Sequence, residues 1–250
     1  MDITTINMRL TRIKSLFIYA REQGYISINP CVGLKLKDDT LPQDEREPYS
    51  TEDIQNWFNA PFYQDKERIA THPDRFWVPL FMLFDGCRPS EVCQLTKKDI
   101  IKVEGIDCVS INPDNGKSIK TKSSKRIVPI HPFLFQAGFL DYVNTVEDNL
   151  FSIKKYKNTS ISKDFNKWAD AHNRKYVSKN PQKVPYSFRH SFTDNLKQAG
   201  VSREIVDELT GHTVEGESFG RYGKRYSMSI LSDAVQKVNY NIDLNHLKWG

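Results

Sequence analysis

The chain has 250 residues, 38% of them hydrophobic and 27% charged, and a formal net charge of +5. That length allows a full hydrophobic core, in one large domain or in one domain and a fragment. No apolar run is long enough to span a bilayer and the first twenty residues do not resemble a signal peptide, so we expect a protein of the reducing cytoplasm whose four cysteines are free thiols.

The opening segment is predicted to be an amphipathic helix. Apolar residues recur at helical spacing from Ile6 to Phe17, and Gly24 suits the end of a helix. One helix cannot form a core by itself. We therefore expect residues 1–34 to be the C-terminal part of a helical domain, in a chain that begins inside a longer protein. The charged, proline-containing stretch 35–48 is predicted to be a linker.

A larger second domain is predicted over residues 49–250. Its first helix, in "STEDIQNWF", starts with Ser50 and Asp53 at the spacing of a capping box. The run "FWVPLFMLFDG" predicts a buried helix that is kinked at Pro79 and ended by Gly86. A further helix is predicted over "RPSEVCQLTKKDI".

Two strands are predicted next, followed by helices. The segments "IDCVSINP" and "SIKTKSSKRIVPI" alternate like strands, and we expect the second to fold on itself through its lysine-rich turn. Helical patterns then cover about residues 161–176, 187–199, 203–210 and 229–238. The predicted fold class is therefore mainly α with a small antiparallel β-sheet (α+β).

Four short segments carry the residues that could take part in catalysis or bind a ligand. In chain order they are "DGCRPSEVCQL", with Arg88 and Glu91; the lysine-rich turn, with Lys117, Lys120, Lys122, Lys125 and Arg126; "YSFRH", with Tyr186, Arg189 and His190; and "LTGHTVEGESFGRYGKRY", with His212, Arg221, Tyr222 and Lys224. Basic residues interleaved with Ser and Tyr suit contact with phosphate backbones. We predict DNA contacts for Lys117, Lys122, Lys125, Arg126, Arg221 and Lys224.

This set resembles the tyrosine recombinase (phage-type integrase) family over about residues 49–240. The family combines an Arg in a Gly-x-Arg-x-x-Glu turn, a Lys in a β-hairpin, a His-x-x-Arg helix, a Gly-His turn and a nucleophilic Tyr. These fall on Arg88 with Glu91, Lys120, Arg189, His212 and Tyr222. The first helix with "INPCVGL" is similar to the end of the family's core-binding domain. Each motif is weak alone, but five in order make a specific signal.

The resemblance implies a bacterial or phage-encoded enzyme that cuts and rejoins DNA through a 3′-phosphotyrosyl intermediate. It implies no metal and no cofactor. The implied partners are double-stranded DNA with attachment-type sites, further copies of the chain in a tetrameric synapse, and accessory DNA-bending proteins. A topoisomerase of type IB and a DNA-binding protein that has lost catalysis are the alternative functions.

Each residue type suits the role that the resemblance gives it. Two guanidinium groups, from Arg88 and Arg189, would stabilise the charge that develops on the phosphate oxygens. Tyr222 would attack phosphorus, with His212 as proton acceptor or as hydrogen-bond donor to the phosphate. Lys120 would protonate the leaving 5′-oxygen, with Lys122 as its alternative.

Supporting roles are expected for three residues, and two choices stay open. Glu91 either orients an arginine or a histidine, or serves as a plain charge at a helix start. Tyr186 stands where the family most often has histidine, so proton transfer falls on His212 and Lys120, or activity is slow or lost. His190 is expected to be a structural histidine.

Tyr226 is a rival nucleophile within the same segment as Tyr222. The closing amphipathic helix, with Ile230, Leu231 and Ala234, packs either on a neighbouring subunit, as in the family, or on its own domain.

Overall fold

The structure, a computed structural model, describes residues 3–37, 46–153, 160–212 and 225–250, and for Lys122 the backbone alone. Its packing divides the chain into two units, Met1–Glu45 and Arg46–Gly250. In the described ranges, every helix is too short or too polar to cross a bilayer. The predicted division into a helical fragment, a linker and a second domain stays a prediction.

The first unit contains helix α1 (Ile3–Glu22), as the apolar spacing predicts. All twenty residues of α1 are described, and none of them is buried. The Asn7 side chain pairs with the backbone of Leu36 in both directions, donating to its carbonyl at 2.9 Å and accepting from its N–H at 2.8 Å. Within this unit, Leu36 is thereby held beside the first half of α1.

The second unit is mostly helical. Its helices are α2 (Thr51–Phe58), α3 (Lys66–Thr71), α4 (Pro73–Phe84), α5 (Pro89–Val92), α6 (Pro132–Gln136), α7 (Phe139–Thr145), α8 (Lys163–Tyr176), α9 (Ser187–Gln198), α10 (Arg203–Thr210) and α11 (Met228–Gln236). The predicted capping box is confirmed at α2, where Ser50 and Asp53 exchange backbone and side-chain hydrogen bonds. The short helices α3, α6 and α7 were not predicted from the sequence.

Helix α4 forms the centre of the core. It is apolar on all sides, and its residues from Phe76 to Phe84 are buried, as expected for a helix that is surrounded by others. The helix continues through Pro79 and stops before Gly86, which has a φ of +62°. It packs against α9, whose Phe188 and Phe192 are fully buried. Helix α9, which carries Arg189, is therefore supported along its length by the core.

The sheet has three antiparallel strands in the order β1 (Ile100–Val103), β2 (Ile106–Ile111) and β3 (Arg126–Pro129). Strand β1 was not predicted from the sequence, and only its first residue, Ile100, lies in the stretch that was predicted as helix. Glu104 and Gly105, both at positive φ, make the two-residue turn that pairs β1 with β2. The helix predicted over "RPSEVCQLTKKDI" is shorter than expected and covers only Pro89–Val92. A capping box between Thr96 and Asp99 begins a separate 3₁₀ turn, Lys97–Asp99, directly before β1.

The lysine-rich segment is not a self-paired hairpin, and this prediction was wrong. Strand β2 pairs directly with β3, from Cys108 opposite Pro129 to Ile111 opposite Arg126. Residues 112–125 form the connection between these strands, with short 3₁₀ turns instead of ladder hydrogen bonds. We call residues 112–125 the β2–β3 connection.

The end of the chain packs on the second unit itself. Helix α11 buries Met228, Leu231 and Val235, and it contacts β2, β3 and α10. Further on, the Trp249 N–H donates to the Ala137 carbonyl at 2.8 Å. Of the two arrangements left open for the closing helix, the structure shows packing on its own domain.

Asp85, which follows α4, is a buried carboxyl group with half of its hydrogen-bonding capacity unused. Its Oδ1 accepts the His131 N–H at 2.9 Å, while Oδ2 has no partner in the described part of the chain. Burial raises the pKa of Asp85 well above its usual 3.8. The folded protein therefore holds a proton that the unfolded chain has released, and stability falls as pH rises from 3.8 toward the folded pKa.

We predict that Asp85→Asn removes this pH-dependent loss, since the amide stays neutral and still accepts the His131 N–H. The free energy of unfolding of Asp85→Asn should gain on the wild type by about 1.4 kcal/mol per pH unit in that window. Urea unfolding of both proteins at a series of pH values upward from about 4 measures this. A difference between the two that does not change with pH would contradict it.

Candidate active site

Glu91 lies at the centre of the site and accepts four hydrogen bonds. Arg88 donates its backbone N–H at 2.8 Å and its Nη1 at 2.7 Å, so Glu91 both caps the start of α5 and holds the Arg88 side chain. Arg126 on β3 donates Nη1 and Nη2 to the two carboxylate oxygens at 3.0 and 2.8 Å. Burial alone would raise the pKa of Glu91, but Arg126 and Arg88 lower it to about 2. Glu91 is therefore a fixed negative charge that orients two arginines.

Arg126 does not lie on the surface, and its predicted DNA contact is corrected by the structure. Its side chain is only 2% exposed and its Nε donates to the Leu209 carbonyl at 2.7 Å. The strand period explains this, because Arg126 falls on the same face as the buried residues Val128 and Ile130. This alternation is the signal in the sequence that could have identified Arg126 as an internal residue.

Lys117 is also turned inward, which corrects its predicted DNA contact. Its Nζ forms an ion pair with Asp99, and both side chains are less than a tenth exposed. Lys120 and Lys125 are exposed on the same β2–β3 connection. The Lys122 side chain lies outside the described residues, as do Arg221 and Lys224.

Arg189 enters the site from the first turn of α9 and is buried. Its Nη1 donates to the Gly86 carbonyl and its Nη2 to the Thr210 carbonyl. A side chain at Gly86 would overlap the Phe192 ring, with Cβ 2.4 Å from Cδ1, so glycine is required there. Burial, together with the charges of Arg88 and Arg126, lowers the pKa of Arg189 from 12.5 to about 10, and the group stays charged at neutral pH.

The C-terminus of α10 is the point where the three arginines meet. The Leu209 carbonyl accepts from Arg126, the Thr210 carbonyl from Arg189, and the Gly211 carbonyl from Arg88 Nη2 at 3.4 Å. The last carbonyls of a helix have no partner within the helix and carry its negative dipole end, which favours cations. Arg88 and Arg189, far apart in sequence, therefore share one turn.

Gly211 is needed in this turn for two reasons. Its φ of +66° closes α10 in the left-handed conformation that favours glycine. A Cβ at Gly211 would lie 3.0 Å from Arg126 Nη1 and 3.2 Å from the Ser124 Cα. The glycine of the Gly-His motif therefore lets Arg126 and the β2–β3 connection approach the helix end.

His212 follows this turn and is half-exposed at its side chain. Its Nε2 lies 3.2 Å from Arg189 Nη2, and since a guanidinium only donates, we assign Nε2 as the acceptor and the proton to Nδ1. Nδ1 then faces Thr210 Oγ1 at 3.3 Å and Asp207 Oδ1 at 3.7 Å. Burial and the nearby arginines lower the pKa of His212 despite Asp207, which leaves the ring neutral at neutral pH.

Tyr186 lies just before α9 and His190 lies in its first turn, on either side of Arg189 in the sequence. Both are half-buried, and their rings meet edge to face with centroids 5.4 Å apart. Tyr186 is close enough to Arg126 and Arg189 to act on their pKa values. Burial, with the charges of Arg189 and Arg46, lowers the pKa of His190, so this histidine is neutral.

The proposed nucleophile, Tyr222, lies outside the described residues. The chain is described up to His212 and again from Arg225, whose Nη2 donates to the Lys125 carbonyl at 3.0 Å. Tyr226, its rival, is 37% exposed and donates its N–H to Glu208 on α10 at 3.3 Å. The described residues on both sides of Tyr222 therefore lie against elements of the site.

A metal-binding cluster is not found within the described ranges, where no group of three or more His, Cys, Asp and Glu side chains converges. The four cysteines are free and buried. Cys87 lies next to the arginines, and burial raises the pKa of its thiol to about 12. Cys87 is therefore uncharged at neutral pH.

Residues 62–226 match the Phage integrase family. A tyrosine recombinase XerC-like protein of Caldanaerobacter subterraneus is 28% identical over 80% of this chain, and the transposase of transposon Tn916 from Enterococcus faecalis is 26% identical over 83%. The chain spans only 57% and 55% of the length of these relatives.

Among solved structures, the fold is similar to that of the Tn1549 transposon integrase in complex with a circular intermediate DNA. The TM-score is 0.58 at 23% identity, over 85% of this chain and 72% of the integrase chain. The integrase of mycobacterium phage Brujita gives a TM-score of 0.54 at 16% identity, over 99% and 77%. These likenesses confirm the predicted fold class, a mainly α domain of the tyrosine recombinase type with a small antiparallel sheet.

We predict that Glu91→Ala strongly destabilises the protein, because it leaves Arg126 buried without its charge partner. The free energy of unfolding at neutral pH should fall by about 3–5 kcal/mol, as for other broken buried pairs. Urea unfolding measures this, with Glu204→Ala, an exposed glutamate on α10, as the matched control that stays within about 0.5 kcal/mol.

The stability that Glu91 contributes changes with pH in a defined direction. Glu91 has a folded pKa below its usual 4.5, so its contribution is complete above 4.5 and is lost as pH falls toward 2. A loss of less than about 1 kcal/mol in Glu91→Ala at neutral pH would show that the carboxylate does not hold the site together.

Proposed function

Because the chain belongs to the Phage integrase family, we propose that it is a site-specific DNA recombinase that cuts and rejoins DNA through a 3′-phosphotyrosyl intermediate. The observation that supports this most directly is the meeting of Arg88 and Arg189 at one helix end, beside His212. Two guanidinium groups from separate elements then face one small region, as the binding of a single phosphodiester requires.

The charge balance of the cluster suits a phosphoryl transition state. Arg88, Arg126 and Arg189 carry three positive charges, and Glu91 neutralises one of them. Arg88 is 11% exposed, and its contacts with Glu91 and Gly211 use two of the five N–H donors of its guanidinium. The excess positive charge would stabilise the extra charge on the non-bridging oxygens. We therefore propose that the reaction proceeds without a metal ion.

In the proposed cleavage step, the Tyr222 oxygen forms a bond to phosphorus and the bond between phosphorus and the 5′-oxygen breaks. The phenol proton passes to Nε2 of His212, whose one lone pair accepts from Arg189 Nη2 in this structure and becomes free when that guanidinium donates to the bound phosphate instead. The leaving 5′-oxygen takes a proton from Lys120, which is exposed on the β2–β3 connection. Rejoining reverses these transfers with a new 5′-hydroxyl as the nucleophile.

Tyr186 occupies the place of a histidine that is frequent in the family. A phenol can donate a hydrogen bond to a phosphate oxygen but is no base near neutral pH. His212 therefore carries the proton transfer from the nucleophile. Loss of this function would leave a protein that binds DNA without cutting it, which is the second candidate function.

We propose double-stranded DNA as the partner, with a tetramer of the chain in the synapse and accessory DNA-bending proteins. The Tn1549 integrase, whose fold is similar, was solved in complex with DNA. The Tn916 relative is named a transposase. We therefore propose that the chain is encoded by a mobile genetic element of a bacterium or by a phage.

We predict that the chain forms an SDS-resistant adduct with nicked duplex DNA and that Tyr222→Phe abolishes it. A pool of nicked duplexes with a randomised central segment supplies the site, which sequencing of the captured adducts identifies. Tyr226→Phe, the matched control, should keep the adduct, and mass spectrometry should find the DNA on Tyr222. EDTA should leave the yield unchanged.

The alternatives make different predictions in this assay. Binding without any adduct indicates the DNA-binding protein, and an adduct that persists in Tyr222→Phe contradicts the assigned nucleophile. An adduct that only relaxes supercoiled DNA, with no joint molecules between two sites, favours a topoisomerase.

DNA affinity should fall steeply with salt, because most contacts would be made to phosphates. We predict that Lys125→Ala, which removes an exposed ammonium group, reduces the slope of log K against log salt by about 1. Lys66→Ala is the control, since Lys66 donates to the terminal carbonyl of Gly250. Titration at several salt concentrations measures both slopes, and equal slopes for the wild type and Lys125→Ala would exclude a phosphate contact by Lys125.

A further inference from the structure

The β2–β3 connection has to hold Lys120 in one position although it lacks the support of strand pairing. It is fourteen residues long, makes no ladder hydrogen bonds along most of its length, and carries the exposed Lys120. A proton donor on such a segment is effective only if its backbone is held in place, since misplacement by an ångström costs much of the rate. The described contacts of this segment show how it is held.

Gln94 holds the connection two residues before Lys120. Its side-chain Nε2 donates to the Ser118 carbonyl at 2.7 Å, and its Oε1 accepts the Ser118 N–H at 2.9 Å. One amide group thus pairs with both backbone groups of one residue, as a neighbouring strand would. Gln94 stands three residues after Glu91, so the same short segment orients the arginines and holds the connection.

Further hydrogen bonds hold the connection on either side of this pair. Upstream, buried Asp99 accepts from Lys117 and from Asn112 Nδ2 at 2.8 Å. Downstream, the Ser124 N–H donates to the Thr121 carbonyl at 3.0 Å, and the Ser124 carbonyl accepts from Arg126 Nη1 at 3.0 Å. Lys120 lies between these contacts. Of the described hydrogen bonds that reach the connection from another part of the chain, the Gln94–Ser118 pair is the nearest to Lys120 in sequence.

We propose that Gln94 is a positioning residue for Lys120: by pairing with the Ser118 backbone it holds the proton donor at the leaving 5′-oxygen. This proposal rests on the proposed function. Gln94 touches neither DNA nor the reacting atoms in this assignment. Its loss should slow protonation of the leaving group and leave the charge stabilisation by Arg88 and Arg189 intact.

A measurement without DNA tests the contact itself. Hydrogen exchange of the intact chain should show protection of the peptide that contains residues 117–121. In Gln94→Ala this peptide should exchange roughly tenfold faster, because the Ser118 N–H has lost its acceptor. Gln198→Ala, an exposed glutamine at the end of α9, is the matched control. Equal exchange in wild type and Gln94→Ala would overturn the proposal.

A sulfur leaving group tests the link to Lys120. In a duplex with sulfur in place of the bridging 5′-oxygen, attack by Tyr222 breaks a phosphorus–sulfur bond. The thiol has a pKa of about 8.5 in cysteine and leaves as an anion without needing a proton. On the oxygen substrate, Gln94→Ala should cleave about 10- to 100-fold more slowly, and Lys120→Ala more slowly still.

On the sulfur substrate both variants should approach the wild-type rate, whereas Arg88→Ala should stay slow. A Gln94→Ala defect of equal size on both substrates would overturn the proposal, as would rescue of Lys122→Ala but not of Lys120→Ala. Absence of any adduct with the wild-type chain would instead contradict the proposed function, and with it the role of Lys120. If the wild type forms an adduct but hydrogen exchange of residues 117–121 is the same in Gln94→Ala, only the role of Gln94 is contradicted.

Discussion

The carboxylate of Glu91 is the contact on which the rest of the site depends. Two guanidinium groups donate to it from different parts of the chain, Arg88 at the start of α5 and Arg126 on β3. Because three like charges near one another repel, one buried counter-charge is required to bring them together. Glu91 also caps α5 through the Arg88 N–H, so the same residue fixes the backbone and the side chain of Arg88.

The C-terminus of α10 completes this arrangement with backbone dipoles. Its last carbonyls would otherwise lack partners, and each of three successive ones accepts from a different arginine. The glycines are part of the same design: Gly86 offers a carbonyl to Arg189 beneath the Phe192 ring, and Gly211 admits Arg126. The cations are therefore held before any substrate arrives, which is the condition for electrostatic catalysis without reorganisation.

Such a site is held at a cost in stability. Arg189 is buried among other arginines, which lowers its pKa. Asp85, one residue before Gly86, is buried with one oxygen that has no hydrogen-bond partner among the described residues. Packing of α4 against α9 offsets these costs, since both helices bury large aromatic side chains there. The β2–β3 connection shows the opposite pattern, with an exposed Lys120 whose backbone is held by polar contacts from Gln94. The structure thus combines a rigid set of cations with an exposed lysine on a tethered surface segment.

The sequence by itself determined the mainly helical class, the ends of α9 and α10, and the order of motifs that carry Arg88, Arg189 and His212, because helix period, caps and glycines act over a few residues. Only the tertiary structure decided that Arg126 and Lys117 turn inward, that the lysine-rich segment is a connection instead of a hairpin, and that Gln94 pairs with Ser118. Each of these depends on partners that lie far away along the chain: Glu91 for Arg126, Asp99 for Lys117, and β2 for β3. The sequence alone does not distinguish a lysine or arginine that is exposed to solvent from one that pairs with a buried carboxylate. The packing of elements that are distant along the chain decides between the two.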